Sequence, residues 1–130
     1  MKQNVLSFSK GLIEVGRRTY ERGYVASNYG NMSARIGKNR VMITRKGISK
    51  GFMKAKDLII VDMNGRVIRG NAEPSSEVFM HLQIYKERPD VHSVCHAHPP
   101  YATGFAVAGR SLDQHVLPEV IISLGTIPLV

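Results

Sequence analysis

The chain has 130 residues, 43% of them hydrophobic, and a formal net charge of +8. That length suits one domain, residues 1–130, burying about two thirds of the surface an unfolded chain exposes. It excludes a membrane-spanning helix, since no stretch approaches about 18 consecutive apolar residues, and the opening MKQNVLSFSK lacks the apolar run of a secretory signal. The single cysteine, Cys95, excludes an internal disulfide and fits a reducing compartment, so the expected location is cytoplasmic.

From Asn4 to about Arg22, Val5, Leu6, Leu12, Ile13, Val15 and Tyr20 recur at near-helical spacing, which predicts an amphipathic helix despite Gly11 and Gly16. The loop-like GYVASNYGN follows, then three short β-like pieces, Met32 to Ile36, Val41 to Thr44 and Leu58 to Asp62. Between Arg35 and Lys56 there are eight Lys or Arg residues and no acid, while the remaining chain is balanced at ten of each sign. The whole excess charge is therefore one segment, read either as a solvated basic face or as a field that attracts an anion. Its one aromatic is Phe52 and it carries no recognisable nucleic-acid module, which argues against nucleic acid and leaves a phospholipid membrane surface or a phosphorylated metabolite as the anion.

Asn64-Gly65 predicts a hairpin joining Leu58–Asp62 to Arg66–Arg69. Pro74-Ser75-Ser76-Glu77 reads as a helix start with serine as N-cap, the helix running to Arg88 and stopped by Pro89. Val91 to His98 reads as a buried strand, and Tyr101 to Ala108 as a helix opened by prolines and closed by Gly109. Val116 to Val130 mixes β-branched residues with prolines. The apolar ending TIPLV, with no polar tail, reads as an interrupted strand, so a C-terminally shortened piece of a longer protein is expected.

Four of the five histidines lie between Pro74 and Pro100. On a strand, His96 and His98 would project from one face about 7 Å apart at Cα, able to converge on one cation. Glu77 would add a carboxylate, completing the ligand types of a catalytic metal site with open positions. Imidazole and carboxylate without thiolate suit zinc, manganese, iron or cobalt, with zinc the default. Cys95, of opposite parity to His96, reads as a small buried residue. His81, one turn after Glu77, reads as an ordinary helix histidine, with orientation of Glu77 as the alternative. His92 and His115 read as structural or exposed. Ser75 and Ser76 put hydroxyls beside the free N–H groups of a helix start, where a phosphate is favoured over plain capping.

Together GNMSAR (Gly30 to Arg35), ITRKGISK (Ile43 to Lys50), PSSE (Pro74 to Glu77) and HAHPPYAT (His96 to Thr103) resemble the class II aldolase/adducin family, in its order and near its spacing. The resemblance implies an α/β fold, α/β/α layers around a mainly antiparallel sheet, in a homotetramer with sites between subunits. It implies Zn2+ or another divalent metal on Glu77, His96 and His98, and a substrate phosphate held by Asn28, Gly30, Asn31, Gly47, Ser75 and Ser76. Glu77 would be the catalytic residue, leaving the metal to act as base or acid. The implied reaction is cleavage of a ketose 1-phosphate, such as L-fuculose 1-phosphate, into glycerone phosphate and an aldehyde. Pentulose-phosphate 4-epimerisation, methylthioribulose-1-phosphate dehydration and an inactive binding or assembly module are the alternatives. Three features depart from the pattern: Lys46 stands where some relatives have a hydroxyl residue, the third histidine ligand would fall after Val130, and Leu117 stands near the position of the family's proton-donating tyrosine. Glu119 lies near an acid of the dehydratase branch and otherwise reads as surface or packing.

Overall fold

The computed structural model describes residues 2–113, 118–123 and 125–129. The chain divides into two units, 1–97 and 98–130. The first opens with helix α1 (Lys2–Glu21) and continues through strands β1 (Asn31–Gly37), β2 (Arg40–Thr44), β3 (Leu58–Asp62) and β4 (Val67–Arg69), helix α2 (Val78–Glu87) and strand β5 (Ser93–His96). The five strands form one sheet in the order β4-β3-β2-β1-β5, with every pairing antiparallel.

The strands alternate as a sheet covered on both sides requires. Val41, Ile43, Ile59 and Val61 project to one face, where Val78, Leu82 and Tyr85 of α2 close over them. Met32, Ala34, Met42 and Leu58 project to the other, against Leu12 of α1 and Met53. Near-continuous apolar runs such as VMI and LIIV therefore bury both parities, and each side chain removed from water stabilises by about 1.5–3 kcal/mol. The buried residues of α2, Val78, His81, Leu82 and Tyr85, follow the three- and four-residue spacing of one helix face.

The Asn64-Gly65 hairpin is present, and its turn is closed by Asp62, whose Oδ1 accepts the N–H groups of Asn64 and Arg66 at 2.8 and 2.9 Å. Gly16, in the middle of α1, has a packing reason: a Cβ there would lie 2.7 Å from the carbonyl oxygen of Lys50, in the 3-10 turn Lys50–Phe52. Part of the basic segment borders an open cleft of about 1200 Å³ on the α1 side, floored by Met42, Ile60 and Ile68 and edged by Arg40, Arg45, Lys56 and Arg69. Arg45 is paired there with buried Asp57 at 2.8 Å.

In the second unit, helix α3 (Pro100–Val107) starts at a proline, as the sequence predicts, and helix α4 (Pro118–Ser123) occupies part of the segment rich in β-branched residues. Leu112 and Ile127 form an isolated antiparallel bridge. His115 and Leu117 lie outside the described residues. Among the described residues no helix is long and apolar enough to cross a membrane.

Candidate active site

Antiparallel pairing brings the start of β1, the end of β2 and the end of β5 to the same end of the sheet. Asn31 sits opposite His96 in the β1–β5 register. The segment before α2 docks at this end as well: Lys46 N–H donates to the Glu73 carbonyl at 3.0 Å, Ser75 N–H to the Thr44 carbonyl at 3.1 Å, and Arg45 bridges Pro74. Residues 28–31, 44–47, 73–77 and 96, distant in sequence, are therefore gathered together. Asn28, Gly47 and Ser76 are exposed, Gly30, Asn31 and Ser75 buried, and Glu77 and His96 half-buried. At Gly30 no other residue fits, because its φ is +70° and a Cβ would meet Val25 and, at 2.7 Å, the His96 carbonyl oxygen.

A continuous chain of hydrogen bonds runs through this end. Tyr85 Oη bonds Ser33 Oγ at 2.8 Å, Ser33 Oγ bonds His81 Nδ1 at 2.7 Å, and His81 Nε2 bonds Asn31 Oδ1 at 2.5 Å. Asn31 Nδ2 then donates to Glu77 Oε2, which also accepts from His96 Nδ1 at 2.5 Å. The donor and acceptor roles have one consistent solution. An amide oxygen can only accept, so His81 carries its proton on Nε2, Ser33 donates to the bare Nδ1, and the Tyr85 hydroxyl donates to Ser33. Every donor thus points along one path that ends on the Glu77 carboxylate.

The titration behaviour follows from this geometry. His81 is fully buried, and desolvation, with a smaller push from His96 against a pull from Glu77, lowers its pKa from 6.5 to about 4. It is therefore a neutral imidazole at neutral pH, as the path requires. Burial alone would push Glu77 up, but the bonds from Asn31 and His96 bring its carboxyl below the ordinary value, so the anion is the resting state. Burial raises the Tyr85 phenol and keeps it a donor.

Several expectations change here. His81 is no ordinary helix residue: it positions Glu77 through Asn31. The signal was present as polar residues alternating on a strand (Asn31, Ser33, Arg35) and as His81 and Tyr85 four apart on a helix, but it needed the β1–α2 pairing to be read. Serine does not cap α2. Glu77 holds the cap position, and Ser75 Oγ accepts the Glu77 N–H at 3.3 Å. The strand expected to reach His98 ends at His96, so the two histidines do not share one strand face; Pro99 and Pro100 supply no N–H with which to extend the ladder, and exposed His98 belongs to the second unit. Cys95 is exposed rather than buried, because β5 is an edge strand whose pairing is to β1. Lys46 is exposed and pairs with Glu73 at 3.3 Å. Glu119 is exposed on α4.

A carboxylate and an imidazole thus converge at Glu77 and His96, the donor types of a divalent metal site with open positions. Among the described residues no group of three or more His, Cys, Asp or Glu side chains is placed to hold a metal ion, so Glu77 and His96 are a pair of donors rather than a complete ligand set. This donor chemistry fits a divalent ion held by few protein ligands.

Comparison with known proteins identifies the family. Residues 10–130 match the family model described as Class II Aldolase and Adducin N-terminal domain. An L-fuculose phosphate aldolase of Methanococcus maripaludis is 40% identical over 82% of this chain and 57% of its own length. A methylthioribulose-1-phosphate dehydratase of Methylococcus capsulatus is 42% identical over 71% of this chain and 45% of its own. The solved structure of an L-fuculose 1-phosphate aldolase superposes with a TM-score of 0.76 at 34% identity, over 82% of this chain and 50% of that one. The chain spans about half the length of these relatives. With the match running through the loops that hold Asn31, Glu77 and His96, the chain belongs to the class II aldolase/adducin family.

Proposed function

We propose that this chain carries the metal- and phosphate-binding part of a lyase that cleaves a ketose 1-phosphate, such as L-fuculose 1-phosphate, into glycerone phosphate and an aldehyde. The observation that carries the reading is the Glu77 carboxylate, held between Asn31 and His96 at the sheet end where the glycine- and serine-bearing loops meet. Asn28, Gly30, Gly47, Ser75 and Ser76 form the phosphate pocket, with Asn31 as its inner wall. Glu77, His96 and His98 would hold a divalent ion, zinc by preference, which when bound would withdraw electrons from the substrate carbonyl. Glu77 handles the proton at the carbon beside that carbonyl: in cleavage the carboxylate takes up the proton released by the hydroxyl that becomes the aldehyde and delivers it to that carbon as the carbon–carbon bond breaks. In the reverse direction it removes the proton from that carbon and returns it to the new hydroxyl. Its lowered pKa suits the base role, and the path from His81 keeps the carboxylate oriented. The phosphate anchors the far end of the sugar, turning binding energy into orientation. A cytoplasmic homotetramer is the expected working form.

The test is elemental analysis of the purified protein, together with release of glycerone phosphate from L-fuculose 1-phosphate. About one divalent ion per chain and a loss of roughly 100-fold or more in turnover for Glu77→Gln are expected. A folded protein that takes up no divalent metal would sink the proposal. Dehydration of methylthioribulose 1-phosphate is the second reading, favoured by the 42% identical relative named for that reaction. Product analysis separates the two, because only the aldolase yields two carbon fragments. A chain that binds neither metal nor phosphate would instead be a binding or assembly module.

A further inference from the structure

Lys50 is a buried lysine, 2% exposed, and ranks with Tyr85 and Met32 among the largest fully enclosed side chains. Its main chain is fixed from behind. Gly16 of α1 leaves room for the Lys50 carbonyl, and Gly51 packs against the ring of Tyr20, which itself stacks edge-on against Phe52 with centroids 5.3 Å apart. From that anchored turn the side chain runs inward, and its Nζ donates to the carbonyl oxygens of Asn28 at 2.9 Å and Ile48 at 2.6 Å. Asn28 lies in the loop that enters β1 through Gly30, and Ile48 directly follows Gly47. One ammonium therefore fastens together the two glycine loops on which the proposed phosphate pocket depends.

The chemistry of this arrangement is unbalanced. Among the described residues the acceptors of Lys50 are main-chain carbonyls, with no carboxylate, and burial lowers its pKa. Enclosing an ammonium without a counter-charge costs several kcal/mol, where an aliphatic side chain would fill the same space without that cost. Two carbonyls can be tied by a neutral donor, so the loop linkage alone does not require a full charge. A dianion settling on the loops held by Lys50 would provide the missing charge in a site of low dielectric.

We infer that Lys50 is a positioning residue for a phosphate monoester: it locks the Asn28 and Gly47 loops together and supplies the positive field against which the phosphate settles. This rests on the phosphate pocket proposed above. It concerns neither the metal nor the proton transfer, so it predicts a split between ligands. In the chain as it stands, Lys50→Met weakens the binding of inorganic phosphate by about tenfold or more, while the affinity for Co2+ stays within about twofold of wild type. Calorimetry reads both.

A purely structural lysine would lower both affinities together, or neither, and either result would overturn the inference. If the wild-type chain binds no phosphate, the pocket itself falls and Lys50 with it. If wild type binds phosphate and Lys50→Met binds it equally well, only Lys50 falls. Should Lys50→Met fail to fold, the wild-type chain decides: the side-chain 13Cε resonance of Lys50 is expected to move during a phosphate titration with the same midpoint as the calorimetric binding. A stationary resonance would overturn the inference.

Discussion

On one side of β1, Met32, Ala34 and Ile36 join the cluster around Leu12 of α1. On the other side of the same strand, Asn31, Ser33 and Arg35 meet α2 through hydrogen bonds and through the Tyr85 ring, which lies 4.9 Å from the Arg35 guanidinium. Two kinds of constraint act on seven consecutive residues. The apolar side is held by non-directional burial, so side chains of similar volume can exchange at small cost. The polar side is directional. Each donor has a particular acceptor, the order ends on Glu77, and one wrong group leaves a buried neighbour unsatisfied. Stability therefore resides on both sides of β1, whereas control of the candidate catalytic carboxylate resides on one.

The comparison can be broken by mutation. Met32→Ala, on the apolar side, is expected to cost about 2–5 kcal/mol in denaturant unfolding and to leave metal affinity unchanged; a change in metal affinity would show that the two sides are not separable. On the polar side, His81 makes stability depend on pH. Its folded pKa of about 4 lies below its ordinary value of 6.5, so between these values the unfolded chain binds more protons. Stability present above about pH 6.5 is therefore lost as the pH falls toward 4, by on the order of 3 kcal/mol. His81→Phe should flatten that part of the profile, and an unchanged slope would show that His81 is not the group responsible.

Asn31→Leu keeps the volume but cuts the path between His81 and Glu77, and is expected to weaken Co2+ binding about 10- to 100-fold. An affinity equal to wild type would mean that Glu77 needs no orientation from within. The smallest change is Tyr85→Phe, which removes the outermost hydroxyl and should cost about 1 kcal/mol while His81 and Glu77 keep their bonds.

Much of the local structure could be read from the residues themselves. The spacing in α1, the alternation in β1 to β3, the Asn64-Gly65 turn and the Pro74–Glu77 helix start each depend on neighbours close in the chain. The site was legible as a set of residue types, and the polar path was not. Ser33 meets His81 across 48 residues and Tyr85 across 52, and Asn31 meets Glu77 across 46, so their pairing depends on which strand face meets which helix face. Edge effects were equally hidden. Nothing in VHSVCHAH marks β5 as paired to β1 at the border of the sheet, and that placement is what exposes Cys95.

The sheet order also has a consequence for assembly. Strands β1 to β4 follow one another in sequence and pair with their neighbours, so each can zip onto the last through a connection of modest length. Strand β5 must return past β2, β3, β4 and α2 to reach β1, and loop-closure entropy makes that the most expensive pairing, each doubling of the loop adding about 0.6 kcal/mol. His96 meets Glu77 only when this pairing is made. The candidate site is therefore expected to mature last in folding, with β5 amides gaining protection after those of β2 and β3 in pulse-labelled hydrogen exchange. A metal added during refolding would act on a nearly finished sheet, fastening its final strand rather than seeding its first.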